Sequence, residues 1–117
     1  MEARPYTPQD RLACESLCGP FDVPDHFFVL EHEGQVIGCG GFSNSGVLLH
    51  GVIRPGLRGQ GLGRFLLLYR LRALAKLPHV SHATLTAPPE FADFFLKQGF
   101  KPAGPNGEMQ LRLQVCP

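Results

Sequence analysis

The sequence predicts an α+β (α/β) fold built on a mixed central sheet of about six to seven strands. Three observations carry it. Between Phe27 and Ile53, three apolar runs are separated only by the short turns Glu33-Gly34 and Asn44-Ser-Gly46, the pattern of an antiparallel meander. The third run leads through a glycine-rich turn, Arg58-Gly-Gln-Gly-Leu-Gly-Arg64, into a long apolar helical pattern from Leu62 to Leu77. A further alternating run, Ser81 to Ala87, follows that helix. A strand regained through a long helix lies parallel to the strand before it.

In chain order, Ala3 to Tyr6 reads as a short strand ended by Pro8. A helix from Gln9-Asp10 to about Cys18 stops at Gly19-Pro20. Phe21 to His26 is a loop with room for one helical turn. Phe27–Glu31 and Gln35–Phe42 form a hairpin about Glu33-Gly34, and Gly38, Gly40 and Gly41 mark a bulge or crowded edge in its second strand. Val47–Ile53 is the third strand of the meander. In the long helix Leu67, Leu71 and Leu74 share one face and Arg72 and Lys76 another, and Pro78 ends it. Pro89 suits the start of a second helix bearing Phe91, Phe94 and Phe95, which Gly99 caps. Phe100–Pro102 is a brief strand, Gly104-Pro-Asn-Gly107 a turn, and Met109–Val115 a last alternating strand.

The turn at 58–64 is where chemistry is expected. Glycine tolerates positive φ and lets a ligand approach the main chain. The first N–H groups of a helix have no internal partners and sit at the positive end of its dipole. Strand, bare turn and helix N-terminus together cradle an anion, most naturally a phosphate or pyrophosphate. Two familiar phosphate motifs are excluded by spacing. Gly56 and Gly61 have the gap of a P-loop, but Leu62-Gly63 follow where Lys-Ser/Thr is needed. The dinucleotide fingerprint needs a glycine at Arg64 and an acid about 20 residues later, yet no Asp or Glu lies between Gly34 and Pro89.

With 117 residues, residues 1–117 are read as one domain. The chain is 44% hydrophobic with no run long enough to span a membrane, and Met-Glu-Ala-Arg-Pro lacks the build of a signal peptide. The expectation is a cytoplasmic protein with no membrane partner. The cysteines, at 14, 18, 39 and 116, and the histidines, at 26, 32, 50, 79 and 82, lack ligand spacing, so reduced structural thiols and no metal are expected. Net charge is +1, but residues 1–33 carry −5 and residues 34–89 carry +6. A basic segment centred on the glycine turn suits a small polyanion. Nucleic acid is not expected, because total charge is low and no aromatic array accompanies the arginines. A solvated arginine face on the long helix would also explain Arg70, Arg72 and Lys76. The acidic first third, with Asp22 and Asp25 in its loop, allows a cationic acceptor or plain surface charge.

Arg58-x-x-Gly61-x-Gly63 matches the Arg/Gln-x-x-Gly-x-Gly/Ala signature of the GNAT acetyltransferases, which bind acetyl-coenzyme A. Ile53-Arg-Pro55 resembles the family's Val-x-Pro at the end of its fourth strand. Ala92-Asp-Phe-Phe-Leu-Lys-Gln-Gly-Phe100 resembles its C-terminal helix motif, Ala-x-x-Phe-Tyr-x-x-x-Gly-Phe. The order of elements resembles the GNAT fold throughout, which implies helices on both faces of the sheet. The chain is short for the family between Cys18 and Phe27, a region that commonly lines the acceptor site.

The resemblance implies acetyl transfer from acetyl-coenzyme A directly to an amine of a small molecule or protein, without a metal, by a chain that could pair as a homodimer. It implies that Arg58, Gly59, Gln60, Gly61, Leu62, Gly63 and Arg64 hold the pyrophosphate. The strand edge at Val52 and Ile53 then pairs with the pantetheine arm, a backbone N–H there polarising the thioester carbonyl. An ammonium must lose its proton before it attacks, so a base is sought. His50, on the strand leading into the turn, is the first candidate, since histidine titrates near neutrality. Its other reading is a histidine half-buried in the sheet. Glu31 and His32 are weaker candidates, and Cys39 reads better as a small buried thiol than as an acyl carrier. Phe95 stands where the family motif has a tyrosine that protonates the departing thiolate, and it has no proton to give. That departure supports an alternative, a non-catalytic acyl-coenzyme A sensor. A phosphate-binding module of another kind is a third reading.

Overall fold

The computed structural model describes residues 1–113, so the end of the expected last strand at Val115 and the thiol of Cys116 lie outside the described residues. The strands are β1 (Glu2–Pro5), β2 (His26–His32), β3 (Gln35–Phe42), β4 (Leu48–Ile53), β5 (His82–Thr86), β6 (Lys101–Pro102) and β7 (Glu108–Arg112). The helices are α1 (Arg11–Cys18), α2 (Leu62–Leu74) and α3 (Ala92–Lys97).

Strands β1 to β4 form an antiparallel meander in sequence order, and β5, β7 and β6 form a second antiparallel sheet. The expected parallel relation reduces to one rung, between Val47 and Thr84. There the Thr84 N–H donates to the Gly46 carbonyl at 2.9 Å. Gly46 permits this approach, because a Cβ at that position would lie 2.6 Å from the His82 oxygen. Beyond the rung the two strands part, so the mixed sheet is split rather than continuous. The cause lies in β4. Cys39 pairs with Val52 and Gly41 with Leu49, which leaves Gly40 opposite both His50 and Gly51. Such a bulge bends and twists its strand. His50 takes the extra residue's strain, with φ +56.

The hairpin between β2 and β3 turns at Glu33 and Gly34 with φ of +52 and +77, as two-residue hairpins favour. A capping box opens the first helical segment, where the Thr7 N–H donates to Asp10 Oδ2 at 2.8 Å. Residues 19–25 run as a loop without a helical turn. The long helix ends at Leu74, three residues before the expected Leu77. Lys76 and Leu77 bond back only three residues, and the residue before Pro78 is disfavoured in the helical region.

Helices lie on both faces of the meander. On one face Cys14 of α1 packs with Phe21, Phe27, Val29 and Cys39. On the other, Leu66 of α2 packs with Leu30, Ile37 and Ile53. Leu67 and Leu74 continue that face into a second cluster with Phe42, Leu48, Leu85, Phe100 and Met109. Between those two clusters, on the same helix stripe, sits Arg70. It is 6% exposed, whereas Arg72 and Lys76 are exposed as expected. Arg70 is therefore a core residue and not part of a solvated arginine face. Four-residue spacing from Leu66 and to Leu74 puts it there.

Candidate functional site

The glycine turn begins with a tight helical turn, Pro55–Leu57, after which Gly59 and Gly61 take φ of +82 and +81. These left-handed steps need glycine and aim the chain into α2. Gly61 is the N-cap of α2, and no side chain caps that end. The leading N–H groups of α2 thus remain free for a ligand. Nothing lies within 4 Å of where a Cβ on Gly59 or Gly61 would stand, so the space over the turn is open. Gly63 faces inward instead: a Cβ there would lie 3.8 Å from the Phe94 ring and 4.0 Å from Ile53. The turn is thereby seated against both β4 and α3.

Beside the turn runs an open strand edge. Arg54 N–H donates to the Ile37 carbonyl at 2.8 Å, so by antiparallel alternation Val52 also faces β3. Ile53 then presents its N–H and C=O to the gap between β4 and β5. Arg58 confirms the direction: its Nε donates to the Ile53 carbonyl at 3.3 Å. That bond leaves the Ile53 N–H as the unpaired group on the edge. Arg64 Nε reaches Gln98 Oε1 at 3.3 Å at the surface. Arg58, Gln60 and Arg64 are all exposed around the turn, and Leu62 is half-buried.

His50 is exposed on the face of β4 that looks toward α1. Its ring centroid lies 5.5 Å from that of Phe21 and 6.5 Å from that of Phe27. The bulge thus brings an accessible imidazole to the same strand, three residues from the free Ile53 N–H. Glu31 is elsewhere. Its Oε2 accepts from Arg4 Nε at 3.1 Å and from Arg4 Nη2 at 2.8 Å, and Asp10 takes the rest of that fork at 2.9 Å. Its role is to bind β1 to β2, and the structure does not bring it to the bulge. His32 sits at the hairpin end of β2, exposed.

Cys39 is fully buried beneath the bulge, and burial pushes its thiol well above the ordinary range. Cys14 beside it is pushed up to about 11. Neither supplies a thiolate, as expected of structural cysteines. Phe95 is half-buried, its ring 5.1 Å from Phe94 and 5.6 Å from Phe100. Of the Phe94 and Phe95 rings, that of Phe94 is the one that a Cβ on Gly63 of the turn would meet, at 3.8 Å. No group of three or more His, Cys, Asp or Glu suited to a metal occurs among the described residues. No described helix is long and apolar enough to cross a membrane. Much of the acidity of the first third is consumed internally: Asp10 and Glu31 pair with Arg4, Glu15 with Arg11, and Asp25 accepts from the Asn44 N–H.

Arg70 is the residue that sequence reasoning missed. Its Nη1 donates to the Gly41 carbonyl at 3.4 Å, and its Nε is buried with no partner among the described residues. A Cβ on Gly40 would lie 2.9 Å from its guanidinium carbon, and one on Gly51 would lie 2.7 Å from Nη2. Both glycines of the bulge make room for it. A separate cleft of about 440 Å³, lined by Ala87, Ala92, Leu96 and Met109 among others, shares no residue with the turn or the β4 edge.

A family model for the acetyltransferase (GNAT) domain matches residues 9–111. Among solved structures, N-acetylglutamate synthase from Neisseria gonorrhoeae, complexed with coenzyme A and L-arginine, superposes with a TM-score of 0.79 at 16% identity. The match covers 96% of this chain and 33% of that one, so the chain spans about a third of that enzyme's length. Rv2747 from Mycobacterium tuberculosis, in complex with CoA and NLQ, gives 0.78 at 17% identity over 97% of this chain and 100% of its own. The GNAT-family N-acetyltransferase YhbS from Escherichia coli, in complex with CoA, gives 0.75 at 19% over 97% and 81%. At these identities the likeness is one of fold. No curated protein matches the sequence significantly.

Proposed function

Because the chain belongs to the GNAT acetyltransferase family, we propose that it transfers acetyl from acetyl-coenzyme A directly to the amine of a small molecule or protein. The observation that carries this reading is the uncapped N-terminus of α2 behind two left-handed glycines, set beside the open edge of β4. The N–H groups from Gly59 to Arg64 receive the pyrophosphate, with Arg58 and Arg64 at its flanks. The edge at Val52 and Ile53 takes the pantetheine arm. Similar solved structures that hold coenzyme A support this use of the fold.

Bound acetyl-coenzyme A supplies the thioester whose C–S bond breaks. The Ile53 N–H donates to the thioester oxygen and stabilises the charge that develops there. His50 accepts the proton that the acceptor ammonium must lose, and its exposure keeps it in exchange with solvent. Phe95 has no proton to return to the departing sulfur. A thiolate of pKa about 8.5 leaves without one and takes a proton from water. We assign the activity to the cytoplasm, where the free thiols of Cys14, Cys18 and Cys39 suit a reducing compartment, and allow a homodimer.

Calorimetry with acetyl-coenzyme A and coenzyme A, followed by thiol release over an amine panel, tests the reading. Absence of coenzyme binding would refute it. Binding without thiol release on any amine would favour a non-catalytic acyl-coenzyme A sensor, the reading that Phe95 supports.

A further inference from the structure

Arg70 is a cation where the fold has no use for one. It is 94% buried, and none of the salt bridges among the described residues includes it. No Asp or Glu occurs in the sequence between Gly34 and Pro89, so its own strand-turn-helix segment offers no counter-ion. An unpaired buried guanidinium is costly, and a hydrocarbon side chain would fill the same helix position at less cost. The sequence instead clears space for the fork with Gly40 and Gly51, on the two strands that form the bulge.

The hydrogen bonding of the fork shows what is missing. Nη1 is anchored on the Gly41 carbonyl, while among the described residues Nε has no partner and Nη2 makes no hydrogen bond. Nε–H and the outer N–H of Nη2 lie on one edge of the guanidinium as parallel donors, the pair that grips a carboxylate bidentately. This protein uses that edge elsewhere: Arg4 turns Nε and Nη2 onto a carboxylate, both donating to Oε2 of Glu31 at 3.1 and 2.8 Å. In Arg70 the same edge meets no carboxylate of the described residues. Nη2 lies against Gly51, which is exposed and next to His50 on the strand whose far edge is open.

We propose that Arg70 seats a carboxylate carried by one of the two reactants, which makes the transferase selective for carboxylate-bearing substrates. The carboxylate belongs either to the acceptor amine, as in an amino acid, or to the far end of a dicarboxylic acyl group on the donor. The inference rests on the acyl-transfer reading for its kinetics, but not for its binding test.

Binding is read on the full chain by NMR, through the Arg70 Nε–H resonance, which burial protects from exchange. Titration with succinate, in the presence and absence of coenzyme A, should shift that resonance saturably in the wild type. Succinamide should not shift it. Kinetics distinguish the two sources. In one arm acetyl-coenzyme A is offered L-glutamate, L-phenylalanine and L-lysine against their α-carboxamides. In the other, benzylamine is offered succinyl-coenzyme A against acetyl-coenzyme A. The carboxylate form should be favoured in one arm. Arg70→Met should lower that preference by ~10-fold or more, as expected for lost charge-assisted hydrogen bonds. Arg70→Lys, with a point charge in place of a fork, should restore it only in part. Comparing variant with wild type cancels the different basicities of the paired amines. A resonance that ignores succinate under both conditions would overturn the proposal, as would equal losses on carboxylate and carboxamide substrates. Failure of coenzyme A to bind, with the resonance still responding, would instead sink the acyl-transfer reading.

Discussion

Replacing Arg70 with methionine should make the protein more stable. Burial holds the Arg70 guanidinium down at about 10, well below the ordinary arginine range. That difference corresponds to about 3 kcal/mol by which the fold disfavours the charged form relative to water. Methionine occupies a similar path along the helix stripe between Leu66 and Leu74 and carries no charge to desolvate. What it gives up is one long bond, from Nη1 to the Gly41 carbonyl at 3.4 Å, about 1 kcal/mol at most. The net expectation is a gain of about 1–2 kcal/mol, or a melting temperature higher by about 3–8 °C for a domain of this size. The pH dependence has a definite sign. Because the folded value lies below the unfolded one, the penalty is fully present below about pH 10 and is relieved as pH rises from there toward the unfolded value. The gap between variant and wild type should therefore be flat from pH 5 to about pH 9 and narrow above it. Urea unfolding at several pH values measures it. A variant that folds but is less stable than wild type would show that the guanidinium is net structural support.

Gly61→Asp should abolish measurable acetyl-coenzyme A binding, because it sets a carboxylate over the free amides of α2 at a residue with φ +81; unchanged affinity in calorimetry would remove the turn from the site. His50→Gly should relax the left-handed φ of +56 and stabilise the fold by about 1 kcal/mol, while slowing acetyl transfer more at pH 7 than at pH 9. An equal loss at both pH values would mark His50 as a packing residue. Arg4 holds the Asp10 carboxyl at about 2, below its ordinary 3.8, so its stabilisation is present above pH 3.8 and is lost as pH falls through 2. Asp10→Asn should cost about 1–2 kcal/mol at pH 7 and flatten that acid limb, and a variant with the wild-type acid profile would contradict the ion pair's role.

The parts of this fold legible in the sequence are those governed by local backbone demands. The Glu33-Gly34 hairpin and the turn at Gly59 and Gly61 rest on what glycine or a two-residue turn can do, whereas the bulge expected in β3 at its glycines has its extra residue in β4, where His50 and Gly51 face Gly40. The boundaries of β3 were readable to the residue for the same reason. Partnerships across the chain were not. Glu31 reads as a free carboxylate until the register of β1 against β2 sets it beside Arg4. Arg70 reads as surface because arginine usually is, although its spacing from Leu66 and Leu74 marks the buried stripe. The split of the sheet depended on how strongly one bulge bends β4, which residue pattern alone does not encode.

The single rung between Val47 and Thr84 has a mechanical consequence. The two sheets share almost no main-chain bonding, and what joins them is the side-chain cluster of Phe42, Leu48, Leu67, Leu85 and Met109. Side chains repack by small increments, whereas ladders break bond by bond. The gap between β4 and β5 can therefore widen or close around a rung that acts as a pivot, without loss of a backbone hydrogen bond. Amides of β2 and β3, bonded on both sides, should exchange with solvent only on larger openings, while the outward N–H of Ile53 exchanges from the closed state. The molecule is in this sense two stiff plates on an oiled hinge, and the hinge line runs along the strand that carries the site.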